Sequence, residues 1–126
     1  MPRIWPVQCP ATGISSGFGD HRSRHAHQGI DIPAPKGTPV VATADGVVVA
    51  AEHQSGYGRI VKIAHGGGIE TWYAHLRSWL VDAGDSVRCG QCIGACGDSG
   101  NATGPHLHYE VHVNDVPVNP LAYLPR

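Results

Sequence analysis

Glycine or proline interrupts this chain about every 8–12 residues, and short runs rich in β-branched residues lie between the interruptions. Valine and isoleucine are stiff at χ1 and suit a pleated, half-buried surface. Seventeen glycines argue equally against long helices. Strand candidates are TPVVAT (38–43), GVVVAAEH (46–53), RIVKIAH (59–65), IETWYAHL (69–76), the pieces DSV and QCIGA within 85–95, and HLHYEVHV (106–113). GGG (66–68) and NDVP (114–117) read as turns, and only residues 75–81 are left to hold a turn or two of helix. The expected fold class is therefore all-β with antiparallel sheets. A length of 126 residues, 41% hydrophobic and 15% charged, fits one globular domain over 1–126 with one core. No linker, repeat or low-complexity run divides it.

Nine histidines against two lysines, Lys36 and Lys62, point to metal or proton chemistry. In TGPHLHYEVHV (103–113), His106 and His108 are two apart. On a strand they share one face while Leu107 and Tyr109 take the other. Two imidazoles side by side are expensive to bury unless something binds them. In HAHQGIDIPAPKGTPV (25–40), His27 and Asp31 are four apart, an even spacing that also puts them on one side of extended chain. Imidazole and carboxylate are both ligand types that zinc accepts. His75 lies among apolar residues in TWYAHLRSWL and, taken alone, reads as a structural histidine.

Other classes are poorly served. A net charge of −1 carries no basic footprint for nucleic acid. No run of 18 apolar residues exists to span a membrane, and MPRIWPVQCP lacks the apolar core of a secretory leader. Cys89, Cys92 and Cys96 have the C-x2-C-x3-C spacing of half a zinc knuckle, but no second Cys/His pair follows. They are expected to behave as small buried hydrophobes, and their pairing with one another or with Cys9 stays open.

H-x3-D, a histidine in Y-A-H-L, and H-x-H, in that order, resemble the motif set of the M23 family of zinc metallopeptidases, the lysostaphin- and LytM-like enzymes that cut peptidoglycan peptides. The similar stretches include SGFGDHR (16–22), HQGIDIPAPKGTPV (27–40), GYGRIVKIAH (56–65), YAHL (73–76), VDAGDSVRCGQCIGACGDSG (81–100) and TGPHLHYEV (103–111). The resemblance implies a compact antiparallel sandwich or half-barrel with a substrate groove. It implies Zn2+ held by His27, Asp31 and His108, with His75 and His106 as the catalytic, non-ligand histidines. Three protein ligands leave one zinc position open, the mark of a catalytic site.

Glu110 follows His108 by two and would share its face, as a supporting partner of a ligand. Gly29 would allow close backbone approach between the first two ligands, and Gly97–Gly104 would form a groove wall. The implied substrates are stem or bridge peptides of peptidoglycan, met by a monomer in the periplasm or the extracellular wall. With no leader and no wall-targeting module, the chain reads as a phage lysin, a delivered toxin with an immunity protein as partner, or an excised domain, by an unknown export route.

Some family members carry a tyrosine before the first ligand. Residues 20–26 here read DHRSRHA, and His21, Arg22 and His25 are expected to be exposed loop residues. A catalytically silent activator would usually have lost a ligand position, and all five positions are present. A structural zinc protein is the remaining alternative. The rhythm of VDAGDSVRCGQCIG is shared with biotinyl and lipoyl carriers, but no lysine follows Lys62 to carry the cofactor.

Overall fold

A computed structural model describes residues 4–7, 28–99 and 104–123, together with the backbone of 21–22 and 25–26. Its strands are β1 (His21–Arg22), β2 (His25–Ala26), β3 (Ile30–Pro33), β4 (Pro39–Val41), β5 (Gly46–Gln54), β6 (Gly58–Gly66), β7 (Ile69–Trp79), β8 (Ser86–Val87), β9 (Cys92–Cys96), β10 (His106–Val113) and β11 (Val116–Val118). A 3-10 turn covers Pro120–Tyr123. Every strand pairing is antiparallel. The fold is all-β, as the punctuation of the sequence implies.

The main sheet runs β11-β10-β7-β6-β5-β8, with β3 joined to β10, and β9 joined to both β4 and β7. Two strands are shared along their length, and this shapes the molecule. One edge of β7 pairs with β6. Its other edge pairs first with β10 over residues 69–74 and then with β9 over 76–79. The sheet forks between these partners, at His75. β10 is shared in the same way, with β7 on one side and β3 followed by β11 on the other. The helical turn expected within 75–81 is therefore absent up to Trp79. The cross-strand pairs Leu76–Cys96, Ser78–Ala95 and Trp79–Gly94 keep that segment extended.

The turns follow local chemistry. Gly67 and Gly68, between β6 and β7, have φ of 64° and 82°, and a two-residue hairpin of that kind needs positive φ at both centres. Asn114 and Asp115, between β10 and β11, adopt φ of 50° and 67°, a region these two residues tolerate better than most. The turn expected over 114–117 is confined to Asn114 and Asp115: Val116 and Pro117 belong to β11, at the end of the sheet path, where proline is tolerated.

Alternation along the shared strands builds the core. Ile30 and Ile32 of β3, Val61 and Ile63 of β6, Tyr73 of β7, Ile93 of β9, and Leu107, Tyr109 and Val111 of β10 are fully buried together. The tyrosine hydroxyls in this core are satisfied by threonines. Tyr73 and Tyr109 both bond Thr43 Oγ1, at 3.1 and 2.9 Å, and Tyr73 also reaches Thr71 Oγ1 at 2.7 Å. A buried hydroxyl without a partner would be destabilising by about 1–3 kcal/mol.

Candidate active site

His108 is the first residue of β10 with a partner strand on each side. Asp31 of β3 lies opposite it on one side and Ala74 of β7 on the other. Residues directly opposite in an antiparallel pair present their side chains on the same face. Accordingly, Nδ1 of His108 lies 2.9 Å from Oδ1 of Asp31, and both side chains are buried. The same carboxylate oxygen is 3.6 Å from Nε2 of His106, which lies two residues earlier on that face. Leu107 and Tyr109 enter the core on the opposite face, as the alternation implies.

β3 comes close enough for this because of Gly29. A Cβ there would collide with the carbonyl oxygen of Tyr109 and come within 2.7 Å of Cγ of Glu110. Any larger residue would push the chain bearing Asp31 away from β10.

His75 arrives from the fork. Its φ of +61° is unusual for a residue with a Cβ, and such strain gathers at functional sites. Its N–H donates to the carbonyl of Tyr57 at 2.9 Å, outside the regular ladder. The ring stands 4.8 Å from that of His106 and 5.9 Å from that of His108, centroid to centroid. Its Nδ1 is 2.7 Å from the carbonyl of Ser99. A carbonyl only accepts, so Nδ1 carries the proton and Nε2 keeps a lone pair. Burial pushes the pKa of His75 down to about 4, against the pull of the Ser99 carbonyl, so the ring is neutral near pH 7. His106 shows the same design. Nδ1 donates to the carbonyl of Gly104 at 2.9 Å, and the buried Nε2 has no hydrogen-bond partner among the described residues.

Behind His108 lies a second polar layer. Glu110 is fully buried and its carboxylate accepts from Nε2 of His108 at 2.6 Å, Nε2 of His112 at 2.7 Å and the hydroxyl of Tyr57 at 2.8 Å. Burial alone would raise its pKa, but the bonds from His108 and His112 win and hold it down at about 2. Burial likewise opposes charge on His108, and the bonds to Asp31 and Glu110 overcome it and raise the pKa of the ring. The Tyr57 hydroxyl is driven well above its ordinary value by burial and by Glu110.

Of the five residues expected to form a site, Asp31, His75, His106 and His108 converge here, while His27 lies outside the described residues. Among the described residues no group of three or more histidine, cysteine or acidic side chains is arranged around a metal position. The side chains of His21, Arg22 and His25, and residues 100–103 of the expected groove wall at 97–104, also lie outside the described residues. The backbone of His21–Arg22 and His25–Ala26 nevertheless forms a two-stranded ladder within the expected loop.

Cys89, Cys92 and Cys96 are free thiols; Cys96 is buried and packs in the core as expected, whereas Cys89 is half-buried and Cys92 is exposed, so the expectation of buried hydrophobes holds for Cys96 alone of the three. Tyr57, Ser99 and His112 were not singled out from the sequence. His112 alone left a signal, since it continues the period of two from His106 through His108 and Glu110.

The chain is similar to proteins of one family. Residues 25–120 match Peptidase family M23. The chain is 49% identical over 116 residues to the DD-carboxypeptidase/endopeptidase Mpg of Neisseria meningitidis serogroup B, a match covering 88% of this chain and 27% of Mpg. It is 42% identical over 113 residues to the peptidoglycan DD-endopeptidase ShyC of Vibrio cholerae serotype O1, covering 85% of this chain and 26% of ShyC. A zinc-containing peptidase from Vibrio cholerae superposes with a TM-score of 0.89 at 37% identity, covering 98% of this chain and 40% of that structure. The chain thus spans about a quarter of the length of these curated relatives.

Proposed function

The chain belongs to peptidase family M23, and from that premise we propose that it is a zinc-dependent endopeptidase acting on peptide cross-links or bridges of bacterial peptidoglycan. In this reading His27, Asp31 and His108 hold the zinc, and His75 and His106 move protons. The observation that carries it is the cross-strand pair of Asp31 and His108, with the rings of His75 and His106 beside it.

The residues present fit a divalent cation. Asp31 and Nδ1 of His108 are an anionic and a nitrogen donor pointed at each other in a buried site. Glu110, as a carboxylate, can only accept from His108 Nε2, so that nitrogen holds the ring's proton when Nδ1 gives its lone pair to a metal. The orphaned Nε2 of His106 faces the same place. Zinc, when bound, supplies Lewis acidity, polarising the scissile carbonyl and lowering the pKa of the attacking water toward 7.

The protein's own groups do the rest. His75, held neutral with its lone pair on Nε2, accepts a proton during attack. His106 offers a second Nε2 lone pair, 3.6 Å from the Asp31 carboxylate, which can take up a proton released by the attacking water and hand it on to the leaving amine. Ser99 and Gly104 keep both rings in the tautomer this requires.

Relatives named as peptidoglycan DD-endopeptidases support the choice of substrate. Action on it would take place in the periplasm or the outer wall. Among the described residues, no helix is long and apolar enough to cross a membrane.

The test is mass spectrometry of fragments released from several purified peptidoglycans, with zinc content measured on the same protein. New peptide termini, lost on chelation and restored by zinc, are the expected result. A protein carrying one zinc per chain that leaves every peptide bond intact would overturn the proposal.

A further inference from the structure

The face of β10 that carries His106 and His108 continues through Glu110 and His112; His108, Glu110 and His112 are buried and His106 is partly exposed. Glu110 is the hub. A carboxylate has no proton to give, so each of its three contacts is a donor: Nε2–H of His108, Nε2–H of His112 and the hydroxyl of Tyr57. Two of these donors are held from the other side. The ring of His112 stacks on Trp72 at 4.0 Å and 18°, and Lys62 Nζ sits 3.7 Å from the Trp72 centroid. Trp72 itself donates to Glu70 at 2.7 Å. Tyr57 meets the edge of Trp72 at 5.8 Å. The backbone carbonyl of Tyr57 also holds His75 in its positive-φ conformation.

We propose that Glu110 is the positioning residue of the metal centre: its carboxylate fixes the tautomer and tilt of His108, and His112 and Tyr57, braced on Trp72, fix Glu110. The inference rests on the reading of His108 as a zinc ligand and deepens it. Imidazole has one proton for two nitrogens when neutral. Holding that proton at Nε2 leaves Nδ1 bare toward Asp31, in the state a cation requires. Partners of this kind typically change metal affinity by 10–100-fold.

Glu110→Gln separates positioning from packing. The amide keeps the volume but offers one acceptor oxygen to three donors, and its NH2 can impose the opposite tautomer on His108. Zinc affinity is to be measured by competition with a chromophoric chelator, alongside the visible spectrum of the cobalt-substituted protein and the melting temperature of metal-free protein.

E110Q is expected to bind zinc about 10–100-fold more weakly and to show an altered cobalt spectrum, with its metal-free fold retained. Parent-like affinity and spectrum in E110Q would overturn the positioning role while leaving the proposed function standing. Failure of the parent protein to bind zinc would overturn both. Should E110Q fail to fold, Tyr57→Phe and His112→Phe decide, since each keeps a ring and removes one donor to Glu110. A weakening of about threefold or more in each is expected, and unchanged affinity in both overturns the proposal.

Discussion

The two faces of β10 are buried to a similar depth by opposite means. Leu107, Tyr109 and Val111 enter an apolar core whose two tyrosine hydroxyls are matched by neutral threonines. His106, His108, Glu110 and His112 enter a layer of rings and carboxylates in which Nε2 of His106 has no hydrogen-bond partner among the described residues. The first face resembles what folding alone selects, because apolar burial stabilises without further conditions. The second is a burden for folding, since buried charges stabilise little even when well paired. A strand that carries both reads as a scaffold and a reagent joined back to back. Substitutions on the apolar face should move stability and leave metal binding alone, and those on the polar face should do the reverse.

The largest effect should come from Asp31→Ala. Removing the carboxylate opposite His108 should abolish stoichiometric zinc binding and hydrolysis together, as read by metal analysis and peptide release. Next come His75→Ala and His106→Ala. Each should retain zinc and lose about 10²–10⁴-fold in hydrolysis rate, the range for a positioned acid–base group. On the other face, Leu107→Ala should destabilise by about 2–5 kcal/mol in denaturant titration, with zinc affinity unchanged. If Leu107→Ala instead weakened zinc as strongly as Asp31→Ala, the two faces would not be separable.

Smaller effects bound the comparison. Changing Cys89, Cys92 and Cys96 together to serine should leave one zinc per chain. It should lower stability by about 1–3 kcal/mol, chiefly through the hydroxyl placed at the buried position 96. Loss of zinc in that triple variant would relocate the metal. The smallest effect concerns His65, outside the site, between the carbonyl of Asp45 and the hydroxyl of Thr71. Burial lowers its pKa below the ordinary 6.5. Its contribution is therefore complete above that value and falls as the pH drops below it, because the unfolded chain takes up the proton first. His65→Gln should flatten the dependence of melting temperature on pH below 6.5 relative to the parent.

Much of the polar face was legible because a period of two needs no partner to be seen. HLHYE announces two histidines and a carboxylate on one side and Leu107 and Tyr109 on the other, and the structure distributes them so. The hairpin at 66–68 was legible for a similar local reason. The fork was not. Whether residues 75–79 form helix or strand depends on β9, whose paired residues lie 15–20 positions further along the chain, and nothing local encodes that partner. Ser99 and Tyr57 escaped for the same reason. Ser99 acts on His75 through a backbone carbonyl, which any residue possesses, and Tyr57 reaches Glu110 across 53 positions.

The division of labour on β10 can be tested most directly by titrating zinc into three proteins: the parent, His106→Ala and His108→Ala. The expected stoichiometries are one, one and none, with all three chains folded by circular dichroism. If His106→Ala loses the metal and His108→Ala keeps it, the roles within HLH are reversed and the site built on the Asp31–His108 pair is wrong.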